Sequence, residues 1–321
     1  MAKSLKLAVF ATGDLSLPTL DALVEAGHRI VALTTLPERP EEDEVLPEEN
    51  EGAELLAWAS DQGVDVDRPE EPGADDGRER LAAAEPDLGV KIAYGGPLPT
   101  SLLDVPRMGW IKVHFSALPK HRGTHPIRAA IWDGAKTTGV TVIEMTEEVD
   151  AGPILGLERI PLEGNETFGD LAPKLAELAP ELAVKSVGAL ASGKKIKRRK
   201  QNERVATVSP VFSERHRKAP WWLNAKTVAD HLRALSPEPG MVTMVQRQTV
   251  RILGGEPMNW VNAPMGEAGS YIGVRAGRLA VLCAEGTVFG IEHLHLPDES
   301  DPVSATDFAK AASLQPGSLF V

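Results

Sequence analysis

Short apolar runs alternate with stretches of helical spacing from the start of the chain. Residues 6–12 (KLAVFAT) form a strand-length apolar run stopped by Gly13-Asp14, and residues 17–26 place apolar side chains at helical intervals before Gly27. Residues 28–35, 87–94 and 110–116 predict further strands, with helical segments at 52–62 and 77–84 between them. Strands separated by helices imply an α/β architecture, a Rossmann-type, mostly parallel sheet covered on both faces. Strands at 138–145 and 153–161 and a long helix at 167–191 complete a first domain, set at residues 1–193. A basic run, KKIKRRK at 194–200, follows Gly193 and reads as a solvated linker spanning 194–205, with contact to an acidic ligand or a nucleic acid as the other reading. From 206 to 321 the pattern changes to a helix at 225–235 and strands at 243–250, 270–275, 279–284 and 287–295, which suggest a small barrel or sandwich.

Composition narrows the functions this pattern can serve. With 42% apolar and 25% charged residues, the 321-residue chain has the make-up of a globular protein large enough for at least one extensive core. A net charge of -12 opposes general attraction to nucleic acid or to an anionic membrane. The single cysteine, Cys283, builds no internal disulfide framework, and no apolar run has the length of a membrane span, so the cytoplasm is the expected compartment. The first turn, Ala11-Thr12-Gly13-Asp14, lacks both the spaced glycines of a dinucleotide fingerprint and a phosphate-loop lysine. His293 and His295 share a strand face, but no cysteine or paired carboxylate lies beside them, and no metal site is expected.

The chemistry concentrates in GWIKVHFSALPKHRG, residues 109–123. Strand alternation puts Lys112, His114 and Ser116 on one face, at the carboxyl end of a strand, where open α/β sheets collect their ligands. An imidazole there can exchange protons near neutral pH, although a lone histidine in a strand is more often a satisfied structural residue. Downstream, TTGVTVIEMTEEVDAGPIL at 137–155 carries Asp150 in a turn after a strand.

His114 with SALPKHRG, TGVTVIEM and Asp150-Ala151-Gly152-Pro153-Ile154-Leu155 together resemble the signature of the methionyl-tRNA formyltransferase family and its relatives. The likeness runs the whole length, through LPERP at 36–40, IAYGGPLP at 92–99 and a C-terminal domain similar to the family's barrel-like, OB-like appendage. It implies a formyltransferase-like fold and transfer of a one-carbon formyl group from 10-formyltetrahydrofolate to an amine, with no metal. It also implies that His114 and Asp150 are the working pair and that the IAYGGPLP loop, through Ile92, Tyr94, Gly96 and Leu98, receives the pterin with Val149 on the other side. Arg122 and His125, with Ser116, fall where the acceptor would bind.

Two departures qualify the resemblance. Where the family carries Asn-x-His, this chain has Lys112-Val113-His114, so an ammonium stands where an amide would orient the donor and stabilise the oxyanion. Lys112 either replaces that donor, or serves a repurposed carbonyl or amide reaction such as formyl-folate hydrolysis or a lysine-assisted condensation, or is simply paired to Asp150 in a noncatalytic folate- or metabolite-binding protein. The second departure is EEDEVLPEENE at 41–51, with seven acidic residues in eleven where a basic loop would grip tRNA. It argues against tRNA and for a small-molecule amine as acceptor. The sequence leaves the identity of that amine and the oligomeric state open.

Overall fold

The computed structural model describes residues 3–37, 53–193, 196–297, 299 and 301–321. The acidic segment 41–51, residues 38–40 of LPERP and the first two residues of the basic run lie outside the described residues. The chain divides into two units: one takes in the chain up to Ala129 with Lys136–Leu162 and Asp170–Val211, the other Ala130–Ala135, Glu163–Gly169 and Phe212–Val321.

In chain order the first part contains β1 (Lys6–Ala11), α1 (Leu17–Glu25), β2 (Arg29–Thr34), α2 (Ala53–Gln62), β3 (Val66–Asp67), α3 (Asp75–Ala83), β4 (Leu88–Ile92), β5 (Trp110–His114), α4 (Pro126–Trp132), β6 (Thr137–Glu144), β7 (Ile154–Pro161) and α5 (Phe168–Ala191). The seven strands make one sheet in the order β3-β2-β1-β4-β5-β6-β7. β1 to β5 run parallel, and β6 and β7 turn back antiparallel at one edge. Chain order reverses between β1 and β4, the arrangement that opens a crevice outside the carboxyl ends of the strands. Leu7, Val9, Val90 and Ile92 are fully buried, each gaining about 2 kcal/mol from leaving water. Phe10 sits edge-on to both Tyr94 and Trp110, with ring centroids 5.1 and 5.2 Å away. This aromatic cluster stands directly beside the polar groups of β5.

The stretch expected as a solvated linker belongs to the first unit. Arg199 exchanges two backbone hydrogen bonds with Ile154 at the start of β7, at 2.8 and 3.0 Å. Further along, Arg122 pairs with Val208 in a second isolated bridge. The basic side chains explain the misreading: Arg198 spends its charge on Glu144 within the protein, at 2.6 Å.

The second unit carries α6 (Ala225–Ala234), β8 (Met241–Val245), β9 (Gln248–Met258), β10 (Tyr271–Arg275), β11 (Arg278–Leu282), β12 (Val288–His295), β13 (Val303–Ser304) and α7 (Ala305–Ala311). Its antiparallel sheet runs β10-β11-β12-β9-β8, with β13 paired to β12. The C-terminal tail bridges the two ends of this path, Val245 pairing with Phe320 and Ser270 with Leu319, which gives the barrel-like character expected from the sequence. The strand expected at 243–250 is a hairpin instead. It turns at Gln246-Arg247, both at positive φ (49° and 65°), a two-residue turn made without the glycine or asparagine that would announce it.

Candidate active site

β5 is buried along its whole length and ends at His114. Antiparallel β6 and parallel β4 flank it, so side chains at its carboxyl end are held by ladders on both sides. Asp150 reaches this end from the turn between β6 and β7. Its Oδ1 accepts from Lys112 Nζ at 2.6 Å, and its Oδ2 accepts from the Gly123 N–H at 2.8 Å and lies 3.5 Å from His114 Nδ1. Lys112, His114 and Asp150, from two separate segments, therefore meet in one buried cluster.

The imidazole makes its hydrogen bond through the other nitrogen. His114 Nε2 stands 2.9 Å from the His121 carbonyl, which only accepts, so Nε2 carries the proton in the neutral ring and Nδ1 presents a lone pair. Burial above all lowers the His114 pKa, to about 4; Asp150 opposes this, while Lys112 and Lys91 reinforce it. The ring is neutral at neutral pH. Burial raises the Asp150 carboxyl, but His114, Lys112 and the Gly123 amide together outweigh it and hold that group well below the usual carboxylate range. The resting site thus holds one balanced ion pair, Lys112⁺–Asp150⁻, beside a neutral imidazole.

Asp150 occupies a conformation that side chains rarely adopt, φ 54°. Its turn is locked from outside: the Gln201 side-chain amide, through Nε2, donates to the carbonyls of Asp150 and Gly152 at 2.7 and 2.8 Å. Gly152 passes so close to β6 that a Cβ there would come within 1.8 Å of the Glu144 carbonyl. Arg122 in turn donates to Gln201 Oε1 at 3.2 and 2.9 Å and to Glu203 at 2.9 and 2.8 Å. The guanidinium is a clamp on the strap that holds Asp150, which gives it a structural occupation beyond the acceptor contact expected from the sequence.

The other expected residues are placed as follows. Ser116 lies beyond the end of β5, its hydroxyl donating to the Lys120 carbonyl at 2.7 Å, so strand alternation does not extend to it. His125 is buried, and its backbone N–H donates to Ser209 Oγ at 3.3 Å. Ile92 and Tyr94 direct their side chains into the core, and burial pushes the Tyr94 phenol up to about 12. Residues 95–99 remain partly or wholly exposed; Leu98 packs at the rim of the aromatic cluster, and Val149 is 64% exposed. At Gly96 a Cβ would meet the Tyr94 ring at 2.8 Å, so this approach admits only glycine. Among the described residues, no group of three histidine, cysteine or acidic side chains is placed to hold a metal ion.

Sequence reasoning passed over Lys91 and Gln201. Lys91 is 6% exposed in the middle of β4 and is the register partner of Lys112. A lysine between two buried aliphatic residues of a central strand was the available signal. Gln201 had none, because nothing in its neighbourhood marks a turn it would support.

A family model described as formyl transferase matches residues 5–187, and one for the formyl transferase C-terminal domain matches residues 215–313. A protein named methionyl-tRNA formyltransferase from Anaeromyxobacter dehalogenans is 34% identical over 307 residues, covering 95% of this chain and 96% of its own. One of the same name from Nocardioides sp. is 34% identical over 316 residues, covering 96% of each. Among solved structures, an N-formyltransferase from Helicobacter canadensis in complex with folinic acid and dTDP-3-aminofucose has a TM-score of 0.63 at 15% identity, covering 89% of this chain and 98% of its own. HypX from Aquifex aeolicus in complex with tetrahydrofolic acid has a TM-score of 0.60 at 18% identity over 96% of this chain; the chain spans about half of that protein, 47%. The fold and the matching family models define a formyl-transferring class of protein. The chain belongs to the formyl transferase family.

Proposed function

We propose that this protein transfers a formyl group from 10-formyltetrahydrofolate to a small-molecule amine in the cytoplasm, with His114, Asp150 and Lys112 as its working groups. The observation that carries the reading is the meeting of His114 Nδ1 and Asp150 Oδ2 at 3.5 Å, at the end of β5, in a chain of this family. The donor supplies an electrophilic carbonyl carbon on a nitrogen leaving group. Its flat ring system would lie against the partly exposed loop at residues 95–99, with Leu98 and Val149 at either side.

The chain's own groups divide the remaining tasks. The attacking amine must lose a proton, and His114 Nδ1 offers the lone pair that takes it. The imidazolium so formed faces the Asp150 carboxylate, which the Gly123 amide keeps in place. Lys112 donates one ammonium hydrogen to Asp150 and has two others for negative charge developing on the formyl oxygen. A charged donor in a buried site stabilises such an oxyanion by several kcal/mol (about 3 for a single donor).

For the acceptor, two observations pull in different directions. The full-length relatives are named for methionyl-tRNA, which favours tRNA as a second reading. The acidic run 41–51 and the net charge of -12 favour a small amine, because both repel a polyphosphate backbone. The deciding experiment supplies the pure protein with 10-formyltetrahydrofolate and, in parallel, methionyl-tRNA or a panel of amino sugars, amino acids and simple primary amines. Tetrahydrofolate release that requires a small amine supports the proposal; release with methionyl-tRNA alone moves the acceptor back to tRNA, and release with water alone makes the protein a hydrolase.

A further inference from the structure

A neutral imidazole carries one proton, and the His114 ring stands between two acceptors for it. The His121 carbonyl lies 2.9 Å from Nε2, and Asp150 Oδ2 lies 3.5 Å from Nδ1. A proton on Nε2 leaves Nδ1 as a base, whereas a proton on Nδ1 would point at Asp150 and take that lone pair out of use. Which form the ring adopts therefore depends on where the His121 carbonyl is held.

That carbonyl is held by a backbone in an unusual state. His121 has φ 58°, in the left-handed region that side-chain-bearing residues seldom enter, so the loop needs fixing from outside. Thr207 fixes it with three polar atoms. Its N–H donates to the Pro119 carbonyl at 3.2 Å, its carbonyl accepts from the Arg122 N–H at 2.9 Å, and its Oγ1 accepts from the His121 N–H at 2.9 Å. The two backbone bonds would be made by almost any residue at this position. Only the hydroxyl bond depends on the side chain, and it falls on the residue whose carbonyl faces the ring. Thr207 is otherwise exposed, so this bond gives its side chain a task that core packing does not.

We propose that Thr207 is a positioning residue: through Oγ1 it fixes the His121 peptide, and through the His121 carbonyl it sets the tautomer of His114 that leaves Nδ1 free to take a proton. The inference rests on the reading of His114 as the proton acceptor in formyl transfer. Without the hydroxyl the His121 N–H loses its acceptor, the residue relaxes from its left-handed conformation, and the carbonyl turns away from Nε2. The single ring proton then moves to Nδ1, where the Asp150 carboxylate accepts it.

The test is nitrogen NMR of the full chain, isotope-labelled at histidine and held at neutral pH, with the His114 signals assigned by their loss in His114→Asn. Wild type is expected to carry its ring proton on Nε2. In Thr207→Val a methyl group occupies the space a replacing water would need; the Nδ1–H form should become the major one, and kcat for amine-dependent tetrahydrofolate release should fall at least about tenfold with KM little changed. Thr207→Ser returns the acceptor and should return both. Ser209→Ala removes the hydroxyl that accepts from the His125 N–H on the same strap and should leave the His114 tautomer as in wild type. A wild-type ring protonated on Nδ1, a Thr207→Val ring that keeps its proton on Nε2, or the same change of tautomer in Ser209→Ala overturns the proposal. The ring signals are read without turnover, so a tautomer that follows Thr207 in a protein releasing no tetrahydrofolate with any amine supports the hold of Thr207 on the ring and contradicts the formyl-transfer reading alone.

Discussion

His114 is neutral in the folded protein because burial outweighs the carboxylate beside it, and that has a consequence for stability. Its pKa falls from an ordinary 6.5 when unfolded to about 4 when folded, so between these values the unfolded chain binds the extra proton. Stability contributed by the neutral ring is complete above about pH 6.5 and is lost as the pH falls toward 4, by up to about 3 kcal/mol. Denaturant unfolding of wild type and His114→Asn at a series of pH values should show the two curves converging as the pH drops through this window; parallel curves would mean the ring is charged or exposed. The residue types of this cluster were legible in the sequence because β5 alternates and the flanking motifs are specific. Lys91 was not, since a strand reading treats an isolated polar residue in an apolar run as tolerated noise, and only the ladder reveals that it partners Lys112.

At the scale of elements, the Asp150 carboxylate is only as well placed as its turn. The positive φ of Asp150 is unfavourable by about 1–2 kcal/mol, and the carbonyls flanking it would be free to swing without Gln201. Gln201→Ala removes two buried hydrogen bonds and leaves Arg122 partly unpaired, which is expected to lower stability by about 2 kcal/mol. As a positioning residue, Gln201 should act on kcat more than on KM, and Gln201→Glu, which restores the acceptor for Arg122 but not the amide donors, should recover part of the stability and little of the rate. An equal loss in KM and kcat would place Gln201 in substrate binding. This support was illegible because Gln201 comes from a segment whose lysines and arginines suggested a solvated linker; its backbone pairing with β7 is a long-range contact that no local pattern encodes. The hairpin at Gln246-Arg247 was hidden for the opposite reason. There the contact is local, but the turn is built from residues that seldom hold positive φ.

Across the molecule, the α/β sheet and the antiparallel C-terminal unit were both legible, because strand-length runs separated by helical spacing leave few alternatives once chain order is considered. Domain limits were less so, since the second unit takes in two short earlier segments, Ala130–Ala135 and Glu163–Gly169, that carry no compositional mark. The net charge is a property of the whole chain and bears on the acceptor: binding of fluorescent tRNA at low ionic strength is expected to be weak, with little salt dependence, whereas a steep salt slope would reveal a segregated basic surface. The claim on which the rest depends is that His114 and Asp150, brought together at the end of β5, move a proton during amine-dependent formyl transfer. Its most direct measurement is the rate of tetrahydrofolate release from 10-formyltetrahydrofolate with a saturating primary amine, for wild type and for His114→Asn side by side. A wild-type rate that requires the amine and falls by at least about a hundredfold in the variant is the expected result; equal rates in the two proteins, or no release with any amine, would contradict it.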